Sequence, residues 1–438
     1  MKTEQEYLVK PAKNPTDICA EVPGSKSITN RALLIAALCK GKSCLRGVLF
    51  SDDSRHFLQA LVDLGFCVEI DEEKQEVSIV GLGGEIPKKE AKVQVGSAGT
   101  AARFLTAYLG LSNGSYTMDA SEQMKKRPMQ ELLQALEELG ANIAYQGEVY
   151  HFPYTIGNEG IQKQEVTIDV DKSSQFLSAL LIVSVLFEED FVIHVTGTHG
   201  MAYVEMTIQM MQQFGYTVRR DAEGRTFFID KDASYQAREY QIEPDLSAAC
   251  YFYAAGALQG VSAKVRHVHW NSMQGDINFL HVLGDMGCFF EEDEDGIRLL
   301  PAKQALCGGR WDLSAFSDQA LTLAAVAPFC TSSVTIAHVG HIRYQECDRI
   351  EAILTNLRAM GVQAQEENGT IVISPVYADA KITNLEQSIR IQTYNDHRVA
   401  MAFSIAGLRL HPLIIEDPSC CRKTFEDYFE VFEETVCK

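Results

Sequence analysis

Gly65, Gly140, Gly215, Gly287 and Gly361 recur at steps of 75, 75, 72 and 74 residues, and each closes a similar phrase. An amphipathic helical run ends in a short turn and passes into an extended segment: L-V-D-L-G-F-C-V-E-I, L-E-E-L-G-A-N-I-A-Y, M-Q-Q-F-G-Y-T-V-R-R, L-G-D-M-G-C-F-F-E-E and L-R-A-M-G-V-Q-A-Q-E. Glycine just past a helix takes the left-handed capping conformation without steric penalty. Five in register predict an internal repeat. A period of about 74 residues is too long for a solenoid repeat and suits a small α/β unit with more than one strand and helix. A sixth phrase opens at Lys423-Thr424-Phe425 and reaches Lys438 before its glycine. The strand-like Tyr7-Leu8-Val9 is the candidate for its missing extended segment. Six such units over 438 residues fit two domains of three.

The formal net charge of −20 argues against a general nucleic-acid or acidic-membrane binder, which needs a broad basic field. Any anionic ligand must then be held by a local cluster of cations. The start M-K-T-E-Q-E-Y lacks the apolar core of a signal peptide, and no apolar stretch approaches the roughly 18 residues of a membrane span. The twelve cysteines show neither C-x-x-C nor zinc-type spacing. They read as reduced small hydrophobes of a cytoplasmic protein, with the vicinal Cys420-Cys421 as a curiosity.

Reactive residues concentrate beside helix starts. Pro23-Gly24-Ser25-Lys26-Ser27-Ile28-Thr29-Asn30-Arg31 leads into an apolar helix, and hydroxyls, a lysine and free N–H groups at a helix N-terminus attract anions. It is no Walker loop, because Ser25 stands where glycine is needed. Gly96-Ser97-Ala98-Gly99-Thr100-Ala101-Ala102-Arg103 repeats the design. Lys125-Lys126-Arg127-Pro128 precedes another helix, with Pro128 suited to its first turn. Lys172-Ser173-Ser174-Gln175 opens a fourth. Glu346-Cys347-Asp348-Arg349, Asn395-Asp396-His397-Arg398 and Arg422-Lys423-Thr424 occupy comparable places. One polar cluster at a helix start is a cap. Seven, each with Lys or Arg in an acidic chain, point to a shared site for doubly anionic ligands.

The phrases P-G-S-K-S-x-T-N-R, G-x-A-G-T-A-x-R, S-S-Q-F-L-S-A-L-L, E-x-x-D-R-I, T-Y-N-D-H-R and K-T-F-x-D-Y-F together resemble the 5-enolpyruvylshikimate-3-phosphate (EPSP) synthase family over essentially the whole chain. The resemblance implies an α/β, two-domain enolpyruvyl transferase fold: six repeated βαβαββ-type units, three per domain, around pseudo-threefold axes. Residues 1–23 and 244–438 would form a discontinuous first domain and 24–243 the second, with the active site in the interdomain cleft and closure on ligand binding. It also implies the reaction, in which the 5-hydroxyl of shikimate 3-phosphate joins C2 of phosphoenolpyruvate and phosphate leaves. No metal, cofactor or covalent enzyme intermediate is required, and a monomer with small-molecule substrates is expected.

By the same resemblance, Asp318 takes the hydroxyl proton, Glu346 exchanges a proton with the substrate carbon, and Lys26 touches both substrates. Arg127, Arg349, Arg398 and Lys423 clamp phosphoenolpyruvate, with Gly99 and Gln175 close by. Arginine suits such oxyanions bidentately. Ser27 and Arg31 would hold the shikimate carboxylate, Ser173, Ser174 and Gln175 its phosphate region, and Tyr203 would lie near its ring. Asp318, His341 and Gln345 complete the acceptor side. Asp52, Asp53, Arg55 and Arg103 are expected to organise structure, and Asp396 to orient Lys423 or Arg398. Three departures fall on the acceptor side: Gln345 where the family usually has lysine, His341 where asparagine is common, and Gly200 for a serine. They predict weaker acceptor binding or a modified acceptor alcohol, unless His341 or Arg343 compensates. The sister transfer to UDP-N-acetylglucosamine is disfavoured because no P-G-G-C-type loop is present. A catalytically inactive relative is disfavoured by Lys26, Asp318 and Glu346 standing together.

Overall fold

The computed structural model describes residues 6–198, 200–378 and 382–438. The chain divides into two compact units, Met1–Pro23 with Glu243–Lys438, and Gly24–Ile242. Glu243, expected in the second unit, falls in the first. Its carboxylate accepts from Ser272 Oγ at 2.6 Å and Gln274 Nε2 at 3.1 Å, which ties it to that unit's own loop.

Among the described residues each unit carries three small sheets, five of the six having four strands and one three. The repeat is clearest in the second unit. Strand Glu90–Gln94 leads through helix Gly99–Gly110 to the parallel strand Ser115–Asp119, in register Glu90 to Ser115. After helices Glu122–Lys125 and Gln130–Glu138, the hairpin Ala141–Tyr145 and Tyr154–Asn158 completes the sheet by antiparallel pairing. Glu165–Asp169 through Thr226–Ile229 follow the same order. A parallel pair requires a crossover, and the first helix of each repeat is that crossover.

Two repeats borrow their first strand across the sequence. Glu239–Gln241 pairs parallel with Lys40–Arg46, and Ile18–Ala20 with Ala263–Val265. The last repeat lacks a closing hairpin, and strand Glu6–Val9 lies antiparallel to Leu410–Glu416 in its place. The stretch Tyr7-Leu8-Val9 therefore does supply the missing segment.

The five repeat glycines have φ of +93, +96, +84, +115 and +72°. After four of them the next residue donates back over the turn: Phe66 N to Leu61 O at 3.0 Å, Tyr216 N to Met211 O at 2.9 Å, Cys288 N to Leu283 O at 3.0 Å and Val362 N to Leu357 O at 2.9 Å. That is the Schellman closure, which requires positive φ at the glycine.

The crossover helices are apolar all round and buried, as in Gly99–Gly110, every residue of which is buried. The second helix of a repeat is amphipathic; Gln130–Glu138 buries Leu132, Leu133, Ala135 and Leu136 and leaves its charged face to solvent. A long buried helix aims its positive end and its unpaired N–H groups wherever its first turn lies. Lys26, Gly99, Gln175 and Arg398 sit at those ends.

Candidate active site

In the unit Gly24–Ile242, contacts between first turns bring three crossover helices together. Arg103, from Gly99–Gly110, donates through Nη1 to Gln175 Oε1 at 2.7 Å, and Gln175 Nε2 reaches Thr100 Oγ1 at 3.2 Å. Arg31, from Lys26–Leu38, stacks over the Phe104 ring at 5.4 Å. Lys26 Nζ stands 3.7 Å from Asp53 Oδ2, so Asp53 balances the lysine without a direct hydrogen bond. A Cβ on Gly99 would lie 2.4 Å from Arg127 Nη1; the glycine lets the guanidinium rest on the helix start. Arg103, expected to be structural, also bonds Pro128 O at 3.3 Å and thus joins the Arg127 segment to Gln175.

Arg31 is buried, yet its hydrogen bonds among the described residues go to neutral acceptors: Thr207 Oγ1 at 2.8 Å, Ser27 O at 2.9 Å and Tyr203 O at 3.2 Å. Burial pulls its pKa down to about 10. A desolvated cation held only by neutral groups is a strong partner for an incoming carboxylate. Ser27 and Tyr203 meet at this guanidinium through their backbone carbonyls. Ser173 Oγ accepts from Gln175 N at 3.3 Å, and Ser174 is the N-cap residue of Gln175–Val183.

In the other unit, charge is denser. Arg349 is 1% exposed and opens helix Arg349–Ala359. Its Nε bonds Asp396 Oδ2 at 2.7 Å, its Nη1 Asp318 Oδ1 at 2.8 Å and its Nη2 Glu346 Oε2 at 2.9 Å. Burial opposes its charge, but Asp396, Glu346 and Asp318 outweigh burial and raise its pKa. Arg398 Nη2 reaches Asp318 Oδ2 at 3.0 Å, and Lys423 Nζ donates to Glu346 Oε1 at 3.2 Å. Asp318, Glu346, Arg349, Arg398 and Lys423 thus form one network.

Several expectations need correction. Lys423 does not precede a helix start; it ends the 3₁₀ turn Pro418–Lys423, and the next helix begins at Tyr428. Pro128 lies outside the first helical turn, since Met129 is the N-cap of Gln130–Glu138. Gln319, next to Asp318, is the N-cap of helix Ala320–Val326, while the Asp318 carboxylate meets two arginines. Asp396 orients Arg349, and caps its own helix by accepting from Arg398 N at 2.9 Å. Among the described residues no cluster of His, Cys, Asp and Glu is arranged to hold a metal, and no helix is long and apolar enough to cross a membrane.

The family model for EPSP synthase (3-phosphoshikimate 1-carboxyvinyltransferase) matches residues 13–432. The chain belongs to the EPSP synthase family. It is 42% identical over 424 residues to the 3-phosphoshikimate 1-carboxyvinyltransferase of Nostoc punctiforme, covering 96% of this chain and 97% of that one. Against the Vibrio vulnificus enzyme identity is 38% over 412 residues, with coverage of 93% and 94%. The fold matches a solved EPSP synthase from Acinetobacter baumannii with TM-score 0.82 at 23% identity, over 99% of this chain and 98% of that one. It also matches the enolpyruvyl transferase NikO from Streptomyces tendae with TM-score 0.72 at 13% identity, over 99% and 98%.

The departures from the family pattern have local structural reasons. Gln345 Oε1 accepts from Arg349 Nη1, adding a neutral acceptor to the arginine's ring of carboxylates. His341 Nε2 lies 2.8 Å from Ser317 Oγ, beside Asp318. Gly200 has φ +67°, and a Cβ there would meet Ser174 Oγ at 2.5 Å, so the position favours glycine twice over. Arg343, named above as a candidate compensating cation, is already engaged by carboxylates. It is held by Asp348 Oδ2 at 2.8 Å and Glu366 Oε2 at 2.7 Å.

One functional candidate escaped the sequence reading. Asp276, in the phrase Gln274-Gly275-Asp276, reads as a turn residue. In the fold it is buried, and its Oδ1 accepts from Gln319 Nε2 at 2.6 Å and Ser247 Oγ at 3.2 Å. Burial, and next the charge of Asp318, push its pKa up to about 6 against the pull of Arg398. A carboxyl raised in the folded state binds its proton more tightly there, so its contribution favours folding below about pH 4 and fades as pH rises through 6. Asp276→Asn is expected to flatten that part of the melting-temperature profile between pH 4 and 7. An unchanged slope would assign it to other groups.

Proposed function

We propose that this chain transfers the enolpyruvyl group of phosphoenolpyruvate to the 5-hydroxyl of shikimate 3-phosphate. The observation that carries the reading is the buried network in which Asp318 and Glu346 are joined through Arg349, with Arg398 and Lys423 at its edges. Asp318 takes the hydroxyl proton while the oxygen bonds C2 of phosphoenolpyruvate, and Glu346 delivers a proton to C3, giving a tetrahedral ketal. Loss of a C3 proton then restores the double bond as the C2–O bond to phosphate breaks, and Lys26 protonates the departing phosphate. Such steps need a base, an acid and cations at fixed positions.

Arg127, Arg349, Arg398 and Lys423 are assigned to the anionic groups of phosphoenolpyruvate, with Gly99 and Gln175 beside them. Ser27, Arg31, Ser173, Ser174, Gln175, Tyr203, His341 and Gln345 are assigned to the acceptor. Arg31 supports this most directly, as a buried cation whose partners are neutral. The chain is taken to act as a cytoplasmic monomer. Phosphate release from phosphoenolpyruvate tests the whole reading. Turnover should require shikimate 3-phosphate and fail with shikimate or UDP-N-acetylglucosamine. Folded protein that binds phosphoenolpyruvate but turns over no shikimate 3-phosphate would overturn it.

Gln345 sets the expected weakness of the acceptor side. Gln345→Lys adds a charge-assisted donor, worth about 1.5–3 kcal/mol when well placed. Part of that is offset by repulsion from Arg349. We expect KM for shikimate 3-phosphate to fall about fivefold, with kcat within threefold of the parent. A KM already at family values and unmoved by the substitution would show that the neutral amide costs nothing.

A further inference from the structure

Asn30 is fully buried, and neither Oδ1 nor Nδ2 of its amide has a hydrogen-bond partner. Buried amides nearly always find partners, and one without them destabilises the fold. Its neighbours are occupied: Thr29 Oγ1 accepts from Leu49 N at 3.2 Å, and Arg31 has the three partners described above. The rest of the helix, Ala32 to Leu38, is aliphatic and buried, and a leucine has the branching of asparagine without its two unpaired polar atoms. An amide kept where it weakens the resting fold calls for a use in another state.

Position indicates the use. Asn30 follows Lys26 by four residues in the helix Lys26–Leu38. Side chains at that spacing are neighbours on one face, with Cβ atoms about 5–6 Å apart, and they lean toward the helix N-terminus. The amide therefore lies one turn below the stem of Lys26. Lys26 Nζ is 3.7 Å from Asp53 Oδ2, a balancing charge outside hydrogen-bond reach.

We propose that Asn30 is a positioning residue for Lys26. When an anion occupies this helix N-terminus, Asn30 Oδ1 accepts a hydrogen bond from the Lys26 ammonium and fixes Nζ against the anion. The pairing satisfies Oδ1, one half of the resting mismatch, only in the loaded state, so it favours ligand binding and proton delivery over resting stability. This rests on the assignment of Lys26 to substrate contact.

The test uses the full-length protein and three variants, Asn30→Leu, Asn30→Asp and Lys26→Met, in the phosphate-release assay and in thermal melting. Asn30→Leu should melt at or above the parent temperature while kcat falls about 10- to 100-fold. Its alkaline limb in the kcat–pH profile should move down, because Lys26 loses an acceptor that favours its charged form. Asn30→Asp restores an acceptor; it should recover activity relative to leucine and move that limb up. Asn30→Leu with kcat within twofold and an unmoved limb overturns the proposal. So does an Asn30→Leu protein that fails to fold, since the amide would then be structural. A Lys26→Met protein at full turnover would instead sink the assignment of Lys26, and with it the reason for Asn30.

Discussion

Replacing Asp318 by asparagine is expected to lower kcat by about 100- to 10,000-fold, the range a positioned general base supplies, with little change in KM for phosphoenolpyruvate. Asparagine keeps the shape of the side chain and removes only the basic oxygen and its charge. In the parent, Asp318 lies between Arg349 Nη1 at 2.8 Å and Arg398 Nη2 at 3.0 Å. Both guanidiniums are assigned to phosphoenolpyruvate, and loss of the carboxylate leaves them more available to that anion. KM for phosphoenolpyruvate should therefore hold or fall while kcat collapses. That split marks an interaction used only in the transition state. Steady-state phosphate release with each substrate varied in turn measures it. A kcat within tenfold of the parent would remove Asp318 from the base's role and pass it to Glu346, the other carboxylate on Arg349.

The parts of this molecule that were legible in the sequence are those written locally. A helix C-cap needs its glycine within one turn, so five helix ends with left-handed glycines, four of them with the Schellman closure, left glycines at a nearly fixed period. Crossover helices buried on every side show as unbroken apolar runs, such as Ala32 to Leu38. Each candidate cation stood in a short polar phrase, and most of those phrases did prove to be helix starts. What escaped depends on distant partners. Asp276 looks like any turn aspartate until Ser247 and Gln319 fold onto it and burial, with the charge of Asp318 next, raises its pKa. Asp396 was expected to serve Lys423 or Arg398; it does accept from Arg398 N, but its side chain also meets Arg349, 47 residues away in sequence. Lys423 sat next to an apolar segment that resembled a helix start, whereas the backbone makes a 3₁₀ turn first. Asn30 was visible only as one letter of a motif, because burial and the lack of a partner are properties of the folded helix bundle.

Arg349→Met should be the most destabilising single change in the charged network, by about 3–5 kcal/mol, the usual effect of removing one partner from a buried ion pair. Arg349 touches three carboxylates while almost wholly buried, and Asp396 is itself fully buried. Methionine fills much of the volume but leaves Asp396 with no cation in direct contact beyond the edge of His397, whose Nδ1 is 3.7 Å from Oδ1. Asp318 keeps Arg398 and Glu346 keeps Lys423. For a unit of about 200 residues the loss corresponds to a fall in melting temperature of roughly 6–20 °C. The pH dependence separates charge from packing. Without the guanidinium a negative charge is stranded in the interior, and acid that neutralises it favours the variant's fold. The melting-temperature gap between parent and variant should then be widest near pH 7 and narrow toward pH 4. A gap that stays constant across that range would mean that the lost contacts of the arginine stem, rather than the stranded carboxylate, account for the damage. Arg349→Lys sharpens the reading, because an ammonium retains the charge but cannot span three carboxylates as a planar fork does. It should recover part of the stability, and much less of the turnover, if Arg349 both stabilises the network and aligns Asp318 with Glu346.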